Sequence, residues 1–363
     1  MHKTTTSKII RLLACLLLYC TNLHAQYGNE WIDFSKTYWK FKVGQEGICR
    51  ITKTTLDAAG IPTSSLGSDF VLTRNGKEVA LNVSTSGIMG STDYIEFWGN
   101  ANDGILDKEL YLAPNKYANK FASLFNDTAI YFLSIDKSKT HLRYTAITSP
   151  IPTTPPTALA YCWTSSSNNA RSIFSKGKTN APVDPSSGSI QELYAAQFDQ
   201  GEGYIFNWTN SAIPLNTNIN TPNFVAAAVN VRLQTASIAQ ARDSVHKLKV
   251  YFNGLLKNDV VYEKSDIIHL DISIPSTELN AINTLQLSHR QTGLDDNFGI
   301  PYWRIDYPRN WNFNGYDYYA FGIDASANAQ YIEINNFNHG GVRPVLYDLS
   351  NQKYYLGDIN NFS

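Results

Sequence analysis

Three sets of residues in this chain have types and spacing that chemistry could use: thiols, clustered side-chain oxygens, and rings interleaved with amides. A cysteine nucleophile needs a neighbouring base and a lowered pKa. Of the four cysteines, Cys15 and Cys20 lie in an N-terminal apolar run, which leaves Cys49 and Cys162. Cys49 sits among apolar residues in an alternating stretch, where a thiol is inert, and Cys162 stands beside Trp163. Neither qualifies as a nucleophile, and two cysteines at this spacing make no zinc site.

The oxygen cluster is Asn100, Asn102, Asp103 and Asp107 around Gly104. Carboxylate and amide oxygens at this density suit Ca²⁺. The EF-hand register fails, because Ala101 and Gly99 stand two and four residues before Asp103. The other reading is a turn in which Asn and Asp cap their own backbone. Leu294-Asp295-Asp296-Asn297 carries the same ambiguity. No cofactor other than Ca²⁺ is suggested.

The rings are Trp303, Trp311 and Tyr316, followed by Tyr318 and Tyr319, with Asn310, Asn312 and Asn314 between them. Aromatic faces beside amide donors suit a glycan; the alternative is that the rings fill a core. His339-Gly340-Gly341 spells the His-Gly pair with which caspase-like peptidases present their base, but there the cysteine follows the histidine, and here Cys162 precedes it. The plain reading is a histidine in a glycine turn. No G-x-S-x-G elbow, H-E-x-x-H helix, P-loop or G-x-G-x-x-G is present.

The elements that must position these residues read as strands. Tyr38–Val43 alternates, and Ile48–Ile51 returns after Gln45-Glu46-Gly47, which predicts a hairpin. Thr52 to Ala59 predicts a short helix, with Thr52 or Thr54 as N-cap and Gly60 just past its end. Phe70–Thr73 and Glu78–Leu81 flank Asn75-Gly76, a type I′ hairpin signal. Tyr94–Trp98 puts Ile95 and Phe97 on one face and Tyr94, Glu96 and Trp98 on the other. Thr128–Ile135 is a further strand. Thr145–Thr157 holds four prolines and five threonines and predicts a connection. Beyond it, strands are expected at Phe224–Thr235, Val245–Phe252, Ile267–Ile274, Asn283–His289, Tyr302–Asp306 and Tyr331–Asn336. Val342–Leu349 and Lys353–Leu356 should pair. The expected fold is mainly β: a small antiparallel β domain followed by a β-sandwich of jelly-roll type.

Met1–Ala25 has a basic start (Lys3, Lys8, Arg11), a short apolar run and Leu23-His24-Ala25 before Gln26, the pattern of an export signal. A lipoprotein signal ending at Cys15 is the competing reading. The expected organisation is thus a signal over 1–25, a β-rich domain over 26–144, a Pro/Thr-rich linker over 145–157 and a sandwich over 158–363. Removing residues 1–25 from the 363 leaves 338, and takes the formal net charge from −1 to −4. Near-neutral charge and no basic stripe argue against nucleic acid. No stretch of the mature chain is apolar enough to span a bilayer. Cys49 and Cys162 would either pair, as exported thiols can, or stay as two buried thiols. The chain stops at Asn361-Phe362-Ser363 just after a hairpin, which fits a natural terminus or a cut before another domain.

Several motifs in order resemble one family. They are Tyr27-Gly28-Asn29-Glu30-Trp31-Ile32, Arg74-Asn75-Gly76-Lys77-Glu78-Val79, and Asp93–Gly99 with Asn102-Asp103-Gly104 and Asp107. Gly201-Glu202-Gly203 and Ile305-Asp306-Tyr307-Pro308-Arg309 complete the set. Together they resemble the N-terminal, non-catalytic part of PorU-like proteins, gingipain-type cysteine peptidases tied to the type IX secretion system. The resemblance implies an exported protein at the periplasm or outer cell surface. It implies type IX components or exported cargo as partners, and a sortase or peptidase domain that carries the His and Cys dyad. No residue here matches that dyad, so no catalytic residue is carried over. The rival expectation is a stand-alone glycan-binding sandwich at the cell surface.

Overall fold

The computed structural model describes residues 29–62, 64–177, 197–210, 214–240, 245–263, 266–290 and 297–359. The expected leader over 1–25, Tyr27-Gly28 and Leu294-Asp295-Asp296 lie outside the described residues. The fold is mainly β, in antiparallel sheets. It divides into two compact units. One holds the described residues up to Lys42 with Ile48–Trp98 and Ile130–Thr145; the other holds Val43–Gly47, Gly99–Ala129 and the described residues from Ala146 on. Gly99–Ala129, placed in the first domain on sequence, therefore clusters with the second unit.

The first unit has two sheets. One runs in the order Tyr38–Val43, Ala129–Ile135, Phe70–Arg74, Lys77–Val79; the other runs Gly47–Thr52, Tyr94–Gly99, Asn82–Val83. Their inner faces meet through Phe41, Phe97 and Tyr131, whose ring centroids lie 5.4–5.8 Å apart. Ile95 and Phe97 are wholly buried, as the alternation requires, and Glu96 on the other face is held by Arg50 at 2.6 Å. The expected hairpin of Tyr38–Val43 with Ile48–Ile51 does not form. The two strands are consecutive but belong to different sheets, each paired with a distant strand. Alternation shows which side chains face the core and is silent on which strand lies alongside.

The Asn75-Gly76 turn does form, with φ of 49° and 74°, and registers Arg74 with Lys77. The helix spans Lys53–Ala58; Thr52 Oγ1 accepts from the Thr55 amide at 3.3 Å and Leu56 is its buried anchor.

The second unit is built on a sandwich. Its larger sheet has Asn230–Gln240 as spine, with Asp266–Pro275 along one edge and Asn297–Gly299 and Tyr302–Arg309 along the other. Cys162–Asn169 adds outside Tyr302–Arg309. The facing sheet runs Leu215–Asn220, Ile282–Arg290, Val245–Phe252, Leu255–Glu263. Val231, Leu233, Ile274 and Ile305 from one sheet meet Leu248, Val250, Phe252 and Leu287 from the other, all at most 1% exposed. Each such side chain contributes roughly 1.5–3 kcal/mol on burial.

Three expectations differ here. The strand expected from Phe224 begins at Asn230, and Phe224 makes only an isolated bridge to Arg309. Tyr331–Asn336 is not a strand: Tyr331 and Asn335 make single bridges, to Ala158 and Asn312. Part of this segment is exposed and Asn336 turns to φ 54°, so no ladder continues. Within the expected linker, Thr145–Ile147 is a strand beside Lys353–Leu356, which pairs with Val345–Asp348 as anticipated. The strand Leu255–Glu263 went unread because it lies at a sheet edge, where its apolar residues Leu255, Leu256 and Val261 are exposed and alternation is lost.

Candidate functional site

The structure separates the rings that the sequence places together. Trp303 is 5% exposed in the inter-sheet core. Trp311 is equally buried in a smaller core with Cys162 and Phe313, and its Nε1 donates to Leu159 O at 2.6 Å. Of the three candidate glycan residues, Tyr316 alone is exposed, at 55%. The neighbouring amides are engaged with the chain: Asn310 Oδ1 accepts from Asn312 N, Asn312 Oδ1 from Asn314 N, and Asn314 Oδ1 from Asn223 Nδ2 at 3.0 Å. Trp303 and Trp311 therefore serve as core rings, and Tyr316 is the member of the set that faces solvent.

The oxygen cluster likewise turns inward. Asn102 Oδ1 accepts from Gly104 N, Asp103 Oδ1 from Ile105 N, and Asp107 Oδ2 from Leu124 N at 2.7 Å. Asp107 is itself buried, so its carboxylate ties the turn to the 122–124 segment. Asn100 also has an interaction within the chain. Among the described residues no group of three or more His, Cys, Asp or Glu is placed to hold a metal.

Among the described residues, neither Cys49 nor Cys162 is in a disulfide. Cys162 is wholly buried, and burial pushes it up to about 11 against the opposing pull of Arg309. Cys49 is half-buried on Gly47–Thr52. His339 Nδ1 accepts from Gly341 N at 3.1 Å in a turn with Gly340 and Gly341 at φ 59° and 77°.

Residues of the ordered motifs make contacts within the chain. A Cβ on Gly76 would lie 2.9 Å from Trp31 Cδ1, so the hairpin turn is seated against the Trp31 indole. Tyr111 Oη donates to Glu202 O at 2.5 Å, and a Cβ on Gly203 would meet Ala118 Cβ at 2.3 Å. Arg309, 2% exposed, lies over the Tyr319 ring at 4.4 Å.

One concavity, of about 210 Å³, was missed on sequence. Its floor is the outer face of the four-stranded sheet, where Val71 and Thr73 share a face with Ser134, the register partner of Val71. Trp31 and Tyr38 form its wall, ring centroids 5.8 Å apart at 86°. Its rim carries Asp33, Lys36, Glu78, Asp136 and Lys139. Lys36 Nζ sits 2.8 Å from Asp136 Oδ2, which raises the lysine; the Lys36 and Ser138 hydrogen bonds hold Asp136 far below the usual carboxylate range. These residues come from three separate stretches of chain, and no local motif marks them.

No protein-family model matches the sequence, and no curated protein matches it. Among solved structures, the chain is similar to dimeric latent PorU from Porphyromonas gingivalis, at 12% identity and a TM-score of 0.44, over 77% of this chain and 25% of that one. It is similar to the CBM36-1 domain of a multidomain xylanase from the Trinervitermes trinervoides hindgut metagenome, at 11% identity and a TM-score of 0.21, over 39% of this chain and 95% of that one. It is similar to a β-porphyranase of glycoside hydrolase family 86 from Bacteroides plebeius, at 8% identity and a TM-score of 0.22, over 77% of this chain and 35% of that one. The chain thus spans about a quarter of the PorU chain's length. All three likenesses fall below a TM-score of 0.5, and the functional reading does not rest on them.

Proposed function

We propose that this chain is an exported, non-catalytic scaffold corresponding to the N-terminal region of a PorU-like protein of the type IX secretion system. It positions cargo or docks secretion partners, and the family's peptidase chemistry belongs to a domain that none of these residues matches. One observation carries the reading. The motifs that make the resemblance are occupied in holding turns and strands together: Gly76 on Trp31, Asp107 on Leu124, Tyr111 on Glu202 and Arg309 on Tyr319. Residues used this way build a rigid frame for something else to bind.

The test is direct binding of the sorting domain of an exported cargo protein to purified residues 26–363, read by interferometry, beside a cleavage assay on the same substrate. Binding without cleavage is expected. Cleavage lost on Cys49→Ser or Cys162→Ser would falsify the scaffold reading. The alternative, a stand-alone glycan module working through Trp303, Trp311 and Tyr316, keeps only Tyr316 as an exposed ring.

A further inference from the structure

We infer that the cup on the first unit is a binding site for one neutral sugar residue. The argument starts from its inventory of free polar atoms. Thr73 and Ser134 are 8% and 4% exposed, line the floor, and their hydroxyls have no hydrogen-bond partner among the described residues. At the rim, Glu78 uses Oε1 on the Leu142 amide at 2.6 Å, and Oε2 has no partner among the described residues. Lys139 is exposed, and among the described residues it makes no ion pair or hydrogen bond. The cup therefore offers a cationic donor, a carboxylate acceptor and two hydroxyls that serve as either. Ligand hydroxyls, each both donor and acceptor, match such a mixed set.

The wall fits the other half of a sugar. Trp31 and Tyr38 are half-buried at right angles, and Trp31 is braced by Phe132 at 5.3 Å and by the Gly76 turn behind it. A braced indole presents a rigid apolar face, against which the C–H face of a pyranose ring can lie. The volume, about 210 Å³, is below the roughly 300–1,000 Å³ of drug-sized ligand sites, which limits the occupant to a single ring.

Charge decides against the competing ligand classes. A cation would be drawn to aromatic faces and carboxylates. Here Asp136 is engaged by Lys36 and Ser138, Asp33 by Ser35 with Lys36 nearby, and both Lys36 and Lys139 add positive charge to the same rim. An anion would face the Glu78 carboxylate, whose charge Lys36 does not offset because it is paired with Asp136 and near Asp33. A neutral polyol meets neither penalty. The site is independent of the scaffold function, since it needs only the cup residues of the first unit.

The experiment is saturation-transfer NMR on the full chain with the methyl glycosides of glucose, galactose, mannose and N-acetylglucosamine, and with n-butylamine and acetate as charged probes. At least one glycoside should show transfer to its ring protons at millimolar concentration, and the charged probes should not. Thr73→Val, which keeps the shape and removes the hydroxyl, and Lys139→Ala should each weaken that binding about 2- to 10-fold, the effect of one hydrogen bond. Trp31→Ala should abolish it; should that variant not fold, the other two carry the test. Transfer to none of the glycosides, transfer unchanged in Thr73→Val and Lys139→Ala, or stronger transfer to butylamine would overturn the assignment.

Discussion

His269 and Tyr302 share a hydrogen bond of 2.9 Å between Nδ1 and the phenol oxygen, while His269 Nε2 lies 3.0 Å from Tyr117 O. A carbonyl only accepts, so Nε2 carries the proton and Nδ1 accepts from the Tyr302 hydroxyl. The imidazole is thus held neutral. Burial, with Lys120 and Lys116 nearby, pulls it down from 6.5 to about 4. The folded state binds fewer protons than the unfolded state between these values. Its contribution is therefore complete above pH 6.5 and lost as pH falls through 4. That loss is at most about 3 kcal/mol. Denaturation midpoints measured from pH 7 to 4 should fall in wild type and fall less steeply in His269→Gln. An equal slope in both would remove the imidazole from the account.

Gly76 has φ 74° and a virtual Cβ 2.9 Å from the Trp31 indole. Gly76→Ala meets both the left-handed strain and the ring. A cost of about 1–3 kcal/mol is expected, with blue- or red-shifted tryptophan emission as Trp31 moves. Asn75→Gly, at φ 49°, should be nearly silent by comparison. Urea melts of the two variants check the difference.

Arg309 Nη1 is buried with no hydrogen-bond partner among the described residues, while the guanidinium lies over Tyr319. The unmet donor costs about 1–3 kcal/mol, and the ring contact offsets about 1–2 kcal/mol of that. Arg309→Met keeps the bulk and drops the charge, so its thermal midpoint should match wild type or rise. Arg309→Ala leaves a cavity and should lose about 3 kcal/mol. A large loss in the Met variant would mean that the charge itself is required.

Cys162 is wholly buried with its thiol raised to about 11, whereas Cys49 is half-buried. Alkylation by iodoacetamide at pH 8 should modify Cys49 first and reach Cys162 only in denaturant, since the thiolate is the reactive form. Peptide mass spectrometry reads the order, and early labelling of Cys162 would contradict it.

Asp107 Oδ2 accepts from the Leu124 amide at 2.7 Å. Asp107→Ala should lower the thermal midpoint, by about 1–3 kcal/mol of stability. Addition of EDTA to wild type should leave it unmoved. A midpoint that drops on chelation would support the calcium reading of Asn100, Asn102, Asp103 and Asp107.

The sequence by itself determined what local physics controls. Period-2 alternation placed Ile95 and Phe97 inside, Asn75-Gly76 set the hairpin turn, and a threonine cap at Thr52 or Thr54 marked the helix that the structure starts from Thr52. Those features depend on neighbours a few residues apart. Pairing was decided by the tertiary structure. Tyr38–Val43 and Gly47–Thr52 reach different sheets, and Gly99–Ala129 leaves the first unit for the second, because a strand's partner is whichever distant segment completes its ladder and buries its face. The candidate site divides the same way. Of the rings and oxygens clustered in sequence, Trp303 and Trp311 went into cores, Tyr316 stayed exposed, and Asn102, Asp103 and Asp107 cap backbone amides. The cup formed from Trp31, Thr73 and Lys139, residues that only folding brings to one place.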